Sequence, residues 1–286
     1  MSAVFGVSTH LAVAERLDRD HLVEIAAHGF DAVEVFAART HFDYHDRRAL
    51  IALAEWLDDT RLRLNSFHAP IAMAFTGGAW RDTVTLAATD EARRKRAVEE
   101  TQAVLEAAAV VPYKFLVVHA GVPAPYGAAA DNSRAAMVRS LEELSPVAGR
   151  VGVRIAVEVI PNSLSAPIAL VDLLEDGLER PHLVGICLDV GHARLMGDVV
   201  DAIETCSGHV ITTHLHDNRG KSDDHFVPGQ GVIDWDAAIL AFQKVGYDGA
   251  WIFELAATTD RRPVLERTIK ARERIEALLR ISNEIL

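Results

Sequence analysis

The sequence is poor in cysteine, with only Cys187 and Cys206 among its 286 residues. Two cysteines do not make a disulfide framework, so we predict a reducing, cytoplasmic location. Cys187 lies inside the apolar stretch VGICLDV, which is typical of a core residue. The N-terminal stretch lacks the basic start of a secretory signal, and no apolar run approaches the roughly 20 residues that cross a bilayer. A membrane protein is therefore not expected.

The chain also lacks an excess of positive charge. It has 29 Lys and Arg residues against 41 Asp and Glu residues, which gives a net charge of −12. Surfaces that bind phosphate backbones carry an excess of Lys and Arg, so we predict no nucleic-acid partner. One basic run, at residues 93–96, falls in a predicted helix together with Glu91, Glu99 and Glu100. Helical spacing spreads this run around the helix and indicates a solvated face.

Half of the residues are hydrophobic, which is ample for one large core. Short apolar stretches that read as strands alternate with helix-like stretches along the whole chain, without a break in composition. The predicted strands cover residues 5–9, 32–37, 63–70, 115–121, 154–161, 185–193, 209–214 and 250–256. The predicted helices cover residues 18–28, 46–59, 90–109, 132–148, 167–176, 199–205, 234–245 and 262–279.

Eight strands alternating with eight helices indicate an α/β fold, the (β/α)8 TIM barrel, and we predict a single domain over residues 1–286. A glycine-rich nucleotide turn is missing after the first strand, where STHLAV stands, and its absence disfavours an open doubly wound sheet. After the third strand, Gly77 and Gly78 fall in what we expect to be a longer loop.

Side chains that bind metal ions recur at the C-terminal ends of the predicted strands. In a barrel these ends converge on one mouth, where catalytic residues lie. A carboxylate in an apolar strand is costly unless it is paired or bound to a metal, so several of them on separate strands indicate a site. Imidazole and carboxylate both suit Zn²⁺ or Mn²⁺. The residues are His68, His119, Glu158, Asp189, His192, His214 and Glu254.

The stretch HLHDNRGKSDDHFVPGQG, which begins at His214, is the richest in such residues. His216 would share a face with His214 only if the strand continued, and because a loop is predicted there we leave it out of the site. Glu34, at the end of the second strand, either contacts substrate or hydrogen-bonds to a ligand. Arg219 either holds a sugar hydroxyl or phosphate, or lies on the loop surface. The histidines that we do not expect to be ligands are His10, His21, His28, His41, His45, His182 and His209.

These motifs resemble the xylose-isomerase-like barrel superfamily. The similar stretches are HAP, VVHAG, AVEVIP, CLDVGHA, HLHDN…DDHFVPGQG and FELA, and the resemblance covers nearly the whole chain. The superfamily holds sugar isomerases, ketose 3-epimerases, sugar-phosphate epimerases, a dehydroshikimate dehydratase and the apurinic endonucleases of the endonuclease IV kind. The resemblance implies the barrel fold and a divalent metal ion as cofactor, which would be Mn, Zn, Co or Mg.

The resemblance also implies a ligand set. In the sugar-isomerising members one divalent ion is held by a Glu, an Asp, a His and a second Glu, which match Glu158, Asp189, His214 and Glu254. The two glutamates are then the catalytic acid–base pair. In the endonuclease branch a three-zinc cluster uses further ligands, and the matching positions here are His68, His119, His192, Asp223 and His225. Substrate-binding roles fall to His192 and Arg219.

We therefore expect a metal-dependent isomerase or epimerase of a small sugar or sugar phosphate, which works by deprotonation and reprotonation beside a carbonyl. The Arg- and aromatic-rich loops that the endonucleases push into DNA grooves are not recognisable in the sequence. The alternatives are a zinc-dependent AP endonuclease-type phosphodiesterase, a dehydratase of the dehydroshikimate kind, and a sugar-binding protein without catalysis. The expected partner is the small-molecule sugar or sugar phosphate, and a homo-oligomer stays open.

Overall fold

The strands form one closed barrel and one separate hairpin. The computed structural model describes residues 3–123 and 128–283. In these ranges the strands are β1 (Val4–Ser8), β2 (Ala32–Phe36), β3 (Arg63–His68), β4 (Ala72–Thr76), β5 (Ala79–Thr83), β6 (Phe115–His119), β7 (Arg154–Glu158), β8 (Val184–Asp189), β9 (Val210–Leu215) and β10 (Ala250–Phe253). The barrel order is β1, β10, β9, β8, β7, β6, β3, β2, and every neighbouring pair is parallel. The predicted (β/α)8 barrel is confirmed.

Helices cover the outside of the barrel. In the described ranges the α-helices are α1 (Arg19–Ala27), α2 (Arg47–Thr60), α3 (Glu91–Glu106), α4 (Arg134–Val151), α5 (Pro167–Asp176), α6 (Val190–Met196), α7 (Val199–Thr205), α8 (Trp235–Lys244) and α9 (Arg262–Asn283). Short 3-10 helices are Thr9–Ala12, Ala107–Ala109, Ala129–Asp131 and Pro181–Leu183. None of the described helices is both long and apolar enough to cross a membrane.

The strand predicted over residues 185–193 is too long. Strand β8 ends at Asp189, and α6 begins at the next residue. Asp189 caps this helix, because its Oδ1 accepts a hydrogen bond from the backbone N–H of His192 at 2.6 Å. His192 therefore lies on the first turn of a helix and not in a strand. Since α6 and α7 both lie between β8 and β9, nine α-helices are described where eight were predicted.

The predicted loop after the third strand is a hairpin. Strands β4 and β5 pair antiparallel, and Thr76 faces Ala79 across a two-residue turn. The turn residues Gly77 and Gly78 have φ values of 60° and 73°. Tight two-residue hairpins need positive φ at both central positions, and glycine adopts it without steric cost. The segment that was expected to be a longer loop therefore contains a two-stranded hairpin.

The interior of the barrel is filled by an apolar layer. Val117, Ala156 and Cys187 are fully buried and pack together, with Phe115 and Ile211 against them. Cys187 is thus a core residue, as predicted, and burial raises the pKa of its thiol. Because side chains alternate along a strand, the residue two positions after Ala156 faces the same interior and lies above this layer. The layer separates the two mouths of the barrel.

The basic run at 93–96 lies on α3 but is not wholly solvated. Arg94 is 2% exposed, and its Nη2 bonds to Glu91 at 2.6 Å and to Glu143 at 2.7 Å. Its Nη1 donates to the Ser140 hydroxyl at 3.2 Å. Arg94 therefore joins α3 to α4, and the prediction of a solvated face was wrong for this residue. The other three basic side chains of the run are exposed.

Candidate metal and active site

The C-terminal mouth of the barrel collects the predicted histidines and carboxylates. Most of these residues end a strand or follow it directly, as the parallel barrel requires, whereas His192 lies on α6 and Asp223 and His225 lie in the loop after β9. Three groups of side chains each offer ligand atoms that all lie within 4.8 Å of one another. The central group is Glu158, Asp189, His214 and Glu254. The histidine–glutamate group is His68, His119 and Glu158, and the loop group is His192, His216, Asp223 and His225.

In the central group, three carboxylates surround one imidazole nitrogen. His214 Nδ1 lies 3.1 Å from Glu158 Oε1, 3.5 Å from Glu254 Oε2 and 3.8 Å from Asp189 Oδ2. All four side chains are buried. Glu158, Asp189 and His214 lie on β7, β8 and β9, and Glu254 directly follows β10. These four strands are consecutive neighbours in the barrel. This is the arrangement of oxygens and one nitrogen that a divalent cation accepts.

Glu34 orients the imidazole of the central group. His214 donates its Nε2–H to Glu34 Oε2 at 3.1 Å, and the Ser66 hydroxyl donates to the same oxygen at 2.8 Å. Burial would raise the pKa of Glu34, but His214 lowers it, so the carboxylate is ionised. Since Nε2 is held in this way, Nδ1 is the nitrogen that faces the three carboxylates. Of the two roles left open for Glu34, the geometry favours the hydrogen bond to a ligand.

The histidine–glutamate group shares Glu158 with the central group. The Nε2 atoms of His68 and His119 both lie 3.1 Å from Glu158 Oε2. The other oxygen, Oε1, faces His214. The two carboxylate oxygens of Glu158 therefore belong to different groups of ligands. A substitution at Glu158 would change the central group and the histidine–glutamate group together.

The loop group is centred on Asp223. The Nε2 atoms of His192 and His225 each lie 3.1 Å from Asp223 Oδ2. His216 Nε2 lies 3.8 Å from Asp223 Oδ1 and 3.0 Å from Asp189. The ring of His216 stacks on that of His225 at a centroid distance of 4.0 Å. This cluster brings the helix that begins after Asp189 together with the long loop after β9.

Sequence reasoning missed His216. Strand β9 continues to Leu215, so His214 and His216 point to the same side, at the spacing of two that alternation requires. That i, i+2 pair was the available signal, and the expected start of the loop at His214 concealed it. The ring of His216 packs against Gly191, and only glycine fits there, because a Cβ at Gly191 would lie 2.1 Å from His216 Cε1.

The charges of the central group are set by burial and by opposite neighbours. For Glu158, burial opposes ionisation, but His214 and His119 hold its pKa well below the usual range. Burial likewise opposes protonation of His214, yet the acids around it, Glu34 and Glu254 among them, raise its pKa well above the usual value. Buried carboxylates that stay ionised need compensating positive charge at their centre.

The hydrogen bonds of two histidines show which nitrogen is left for a metal ion. His68 donates its Nδ1–H to the Ala69 carbonyl at 2.8 Å, and His225 donates its Nδ1–H to the Glu254 carbonyl at 3.0 Å. The Nε2 atoms of both rings then face carboxylate oxygens at 3.1 Å. A neutral ring would place a lone pair against a carboxylate there, unless a cation lies between them. The donor set therefore fits divalent metal ions.

Asp217 anchors the loop that carries the loop group. Its Oδ1 accepts hydrogen bonds from the backbone N–H of Asn218 at 2.8 Å and of Ile233 at 3.3 Å. Its Oδ2 accepts from the N–H of Gly229 at 2.9 Å and from Trp235 Nε1 at 3.0 Å. One buried carboxylate thus closes both ends of the loop on each other, which sequence reasoning did not identify.

Replacing Asp217 with Ala should destabilise the protein by at least about 3 kcal/mol, because the three buried N–H groups of Asn218, Ile233 and Trp235 lose their acceptor and each costs about 1–3 kcal/mol. Chemical denaturation measures the change. The matched control is Asp224→Ala in the same loop, where the carboxylate accepts from the Arg219 backbone and the Ser222 hydroxyl. The control should lose less than about 1 kcal/mol. Equal losses in the two variants would contradict the anchoring role.

Arg219 is not drawn into any of the three groups. Its side chain is exposed, and its guanidinium lies 5.2 Å from the centre of the Phe226 ring on the same loop. The backbone N–H of Arg219 donates to Asp224. Its predicted contact with substrate therefore stays a prediction.

An aromatic wall lines one side of the same mouth. Phe36 stacks on His68 at a centroid distance of 4.3 Å, and Trp80 of the hairpin lies 5.2 Å from Phe36. His10, which was not expected to be a ligand, lies 5.1 Å from the ring of His225 and donates its Nδ1–H to the Leu255 carbonyl at 2.9 Å. Burial lowers the pKa of His10 to about 4. The mouth therefore has charged groups on one side and apolar rings on the other.

Comparisons with known proteins agree with this description. A family model described as xylose isomerase-like TIM barrel matches residues 22–280. The uncharacterized protein MJ1311 of Methanocaldococcus jannaschii is 27% identical, over 98% of this chain and 90% of that protein. L-ribulose-5-phosphate 3-epimerase UlaE of Salmonella paratyphi A is 26% identical, over 87% of this chain and 85% of that protein. The crystal structure of a D-tagatose 3-epimerase-like protein superposes with a TM-score of 0.79 at 26% identity, covering 98% of both chains.

Proposed function

Because the chain belongs to the xylose isomerase-like TIM barrel family, we propose that it is a divalent-metal-dependent epimerase or isomerase of a small sugar or sugar phosphate. The main support is that Glu158 and Glu254 each place a carboxylate oxygen near His214 Nδ1, at 3.1 Å and 3.5 Å, within one group of possible metal ligands. Their strands, β7 and β10, are separated by two others in the barrel. The relatives named for ribulose-phosphate and tagatose epimerisation support the same reaction class.

The two glutamates would carry the proton. A bound divalent ion would act as a Lewis acid that polarises the carbonyl of an α-hydroxy ketone. One carboxylate takes the proton from the carbon beside the carbonyl and becomes a carboxylic acid. The other glutamate, which starts the reaction as a carboxylic acid, gives its own proton to the opposite face of that carbon, which inverts the centre. This proton exchange needs two carboxyl groups that reach the same carbon from separate strands.

Substrate orientation falls to residues around the central group. His192 and Arg219 would hydrogen-bond to hydroxyl oxygens of the sugar, and Arg219 would reach a phosphate if the substrate carries one. The rings of Phe36 and Trp80 offer an apolar surface for the carbon skeleton. The ion in the central group would be Mn²⁺, Co²⁺ or Mg²⁺ because of its three carboxylates, while the histidine-rich groups favour Zn²⁺.

Product analysis tests the proposal. Metal-loaded protein is incubated with ketopentoses, ketohexoses and their phosphates, and the products are separated by chromatography. We expect one substrate to be converted to its epimer or isomer, and Glu254→Gln to abolish the conversion. The matched control is Glu55→Gln, an exposed glutamate on α2, which should convert at the wild-type rate. A product that has lost water would instead identify a dehydratase of the dehydroshikimate kind.

A second candidate function has one specific observation in its favour. The three groups together form an acidic, histidine-rich pocket in which several zinc ions would cleave a phosphodiester, as in AP endonucleases. The net charge of −12 opposes binding of DNA. Incubation with abasic duplex DNA and Zn²⁺ distinguishes the two functions. Nicking that disappears in a His68→Ala, His225→Ala variant would establish the nuclease.

The proposed function also includes the cellular location, the domain organisation and the partners of the protein. We place the enzyme in the cytoplasm, since both cysteines, Cys187 and Cys206, are buried and free. We also propose one domain across residues 1–286, a small-molecule substrate as its partner, and no nucleic-acid or membrane partner. Size-exclusion chromatography with light scattering would decide whether a homo-oligomer forms.

A further inference from the structure

A cavity lies at the N-terminal end of the barrel, opposite the mouth that holds the metal-binding groups. It has a volume of about 520 Å³ and is lined by residues at the N-terminal ends of the barrel strands, from Val4 of β1 to Ala250 of β10. The apolar layer of Val117, Ala156 and Cys187 lies between this cavity and the metal-binding groups. Glu158 stands four positions after Arg154 along β7, which corresponds to about 13 Å of strand. The cavity is therefore distinct from the proposed active site.

Three cationic side chains line this N-terminal cavity. They are Arg63, Lys114 and Arg154, which stand at or just before the starts of the neighbouring strands β3, β6 and β7. Backbone hydrogen bonds place their strands side by side: Arg154 N–H donates to the Lys114 carbonyl at 3.0 Å, and Lys114 N–H donates to the carbonyl of Asn65, two residues after Arg63, at 3.1 Å. In a chain of net charge −12, three basic residues around one cavity stand out from the rest of the surface.

None of the three cations has an anionic partner within the described part of the chain. Asp248 is the one acidic residue that lines the cavity, and it forms no ion pair with them. Three basic residues and one acidic residue therefore give the lining of the cavity a formal charge of +2. Arg63 and Lys114 are exposed, so water and salt screen their charges, whereas the half-buried Arg154 is screened less.

Arg154 supplies the sharpest sign that a ligand is missing. Its side chain points into the barrel, because it shares a face with Ala156 and Glu158 along β7. Its Nε atom is buried without a hydrogen-bond partner among the described residues, and its Nη2 reaches only the Val184 carbonyl, at 3.5 Å. Burial lowers the pKa of its guanidinium. A buried donor of this kind costs free energy until an acceptor reaches it.

Neutral donors complete the lining. The Asn65 amide is buried and makes only long contacts, at 3.3 Å to Ser66 Oγ and 3.4 Å to Thr212 Oγ1. The Tyr247 hydroxyl donates to the Ala250 carbonyl at 2.6 Å and closes the side of the cavity opposite the cations. The volume lies within the range of small-molecule sites. The recess lies inside the ring of strands, so it suits a compact anion and not a nucleic-acid chain.

We propose that the N-terminal mouth of the barrel is a binding site for a small phosphate dianion, either free phosphate or pyrophosphate or the phosphoryl group of a metabolite. Arg63 and Arg154 would hold phosphoryl oxygens through guanidinium hydrogen bonds, and Lys114 would add a point charge. The anion would offset the excess positive charge and satisfy the Arg154 Nε donor. This site is independent of the proposed function, since it shares no residue with the three metal-binding groups.

Calorimetric titration of metal-loaded protein with inorganic phosphate and with pyrophosphate tests the proposal. Each lost charge-assisted hydrogen bond should weaken binding about tenfold to a hundredfold. Lys114→Gln removes an exposed side chain and should fold normally, while Arg154→Gln removes the unpartnered donor. The matched control, Arg47→Gln with Lys95→Gln, removes two exposed charges elsewhere and should bind like the wild type.

The titration results with the variants either support or overturn the anion site. Weaker binding in Lys114→Gln and Arg154→Gln, with the control unchanged, supports the site. Binding that persists in both cavity variants would place the anion elsewhere, for example on the metal at the other mouth, and would overturn the proposal. Absence of binding to wild-type protein, for both anions, would overturn it as well. Phosphate monoesters of different sizes then show whether a free anion or a metabolite fits better.

Discussion

Replacing Glu158 with Gln is expected to lower turnover about 10⁴-fold and to remove bound metal from the C-terminal mouth. Glu158 Oε1 faces His214 and Oε2 faces His68 and His119, so the residue serves two groups of ligands at once. An amide keeps one acceptor oxygen and presents an NH2 group to the other side, where it cannot bind a cation. Elemental analysis and steady-state kinetics on the same preparation measure both effects.

The control for this prediction is Glu55→Gln, which makes the same chemical change at an exposed position on α2. Circular dichroism checks that both variants keep the barrel. If Glu158→Gln retains its metal and turns over within tenfold of the wild type, Glu158 is neither ligand nor acid–base group. The central group would then need a different explanation.

Removal of the metal by a chelator should reduce turnover at least about a hundredfold, because Lewis-acid stabilisation of the developing charge is worth several kcal/mol. It should also lower Tm by about 5–10 °C, since an ion at a thousand times its Kd stabilises the folded state by about 4 kcal/mol. The buried carboxylates of Glu158, Asp189 and Glu254 lose their compensating charge when the ion leaves. Calorimetry and activity assays follow both changes.

Restoration by added Mn²⁺ is the first control for this prediction, and the second is the Glu158→Gln protein, whose Tm should not respond to the chelator. A wild-type protein whose turnover and Tm are both unchanged by the chelator, although elemental analysis shows that the metal has left, would contradict a role for the ion.

The barrel and the residues at its mouth could be predicted from the sequence because parallel strands converge. The last residues of four strands are His68, His119, Glu158 and Asp189. Because the C-terminal ends of parallel barrel strands meet at one mouth, their positions in the sequence already indicate that these side chains lie close together. The apolar composition of the strands also made alternation with helices easy to recognise. Boundaries were less predictable, as with His192, because only the cap made by Asp189 decides where strand becomes helix.

Features that depend on contacts between distant segments could not be predicted in this way. The wall formed by Phe36 and Trp80 requires the hairpin to fold over the mouth, and nothing local to Trp80 indicates that contact. The bonds from Asp217 to Gly229 and Trp235 span a loop whose path is set by its ends. The N-terminal cavity did carry a signal, since Arg63, Lys114 and Arg154 each stand at the start of an apolar strand.

Proton transfer beside a carbonyl by Glu158 and Glu254 should exchange substrate hydrogen with solvent, which deuterium incorporation detects. Metal-loaded protein is incubated in D₂O with the ketose and ketose-phosphate panel, and the sugars are examined by NMR. We expect deuterium to enter at the carbon next to the carbonyl of one substrate, and Glu254→Gln to abolish this entry. Absence of exchange from every substrate while metal is bound, or exchange that persists in Glu254→Gln, would contradict it.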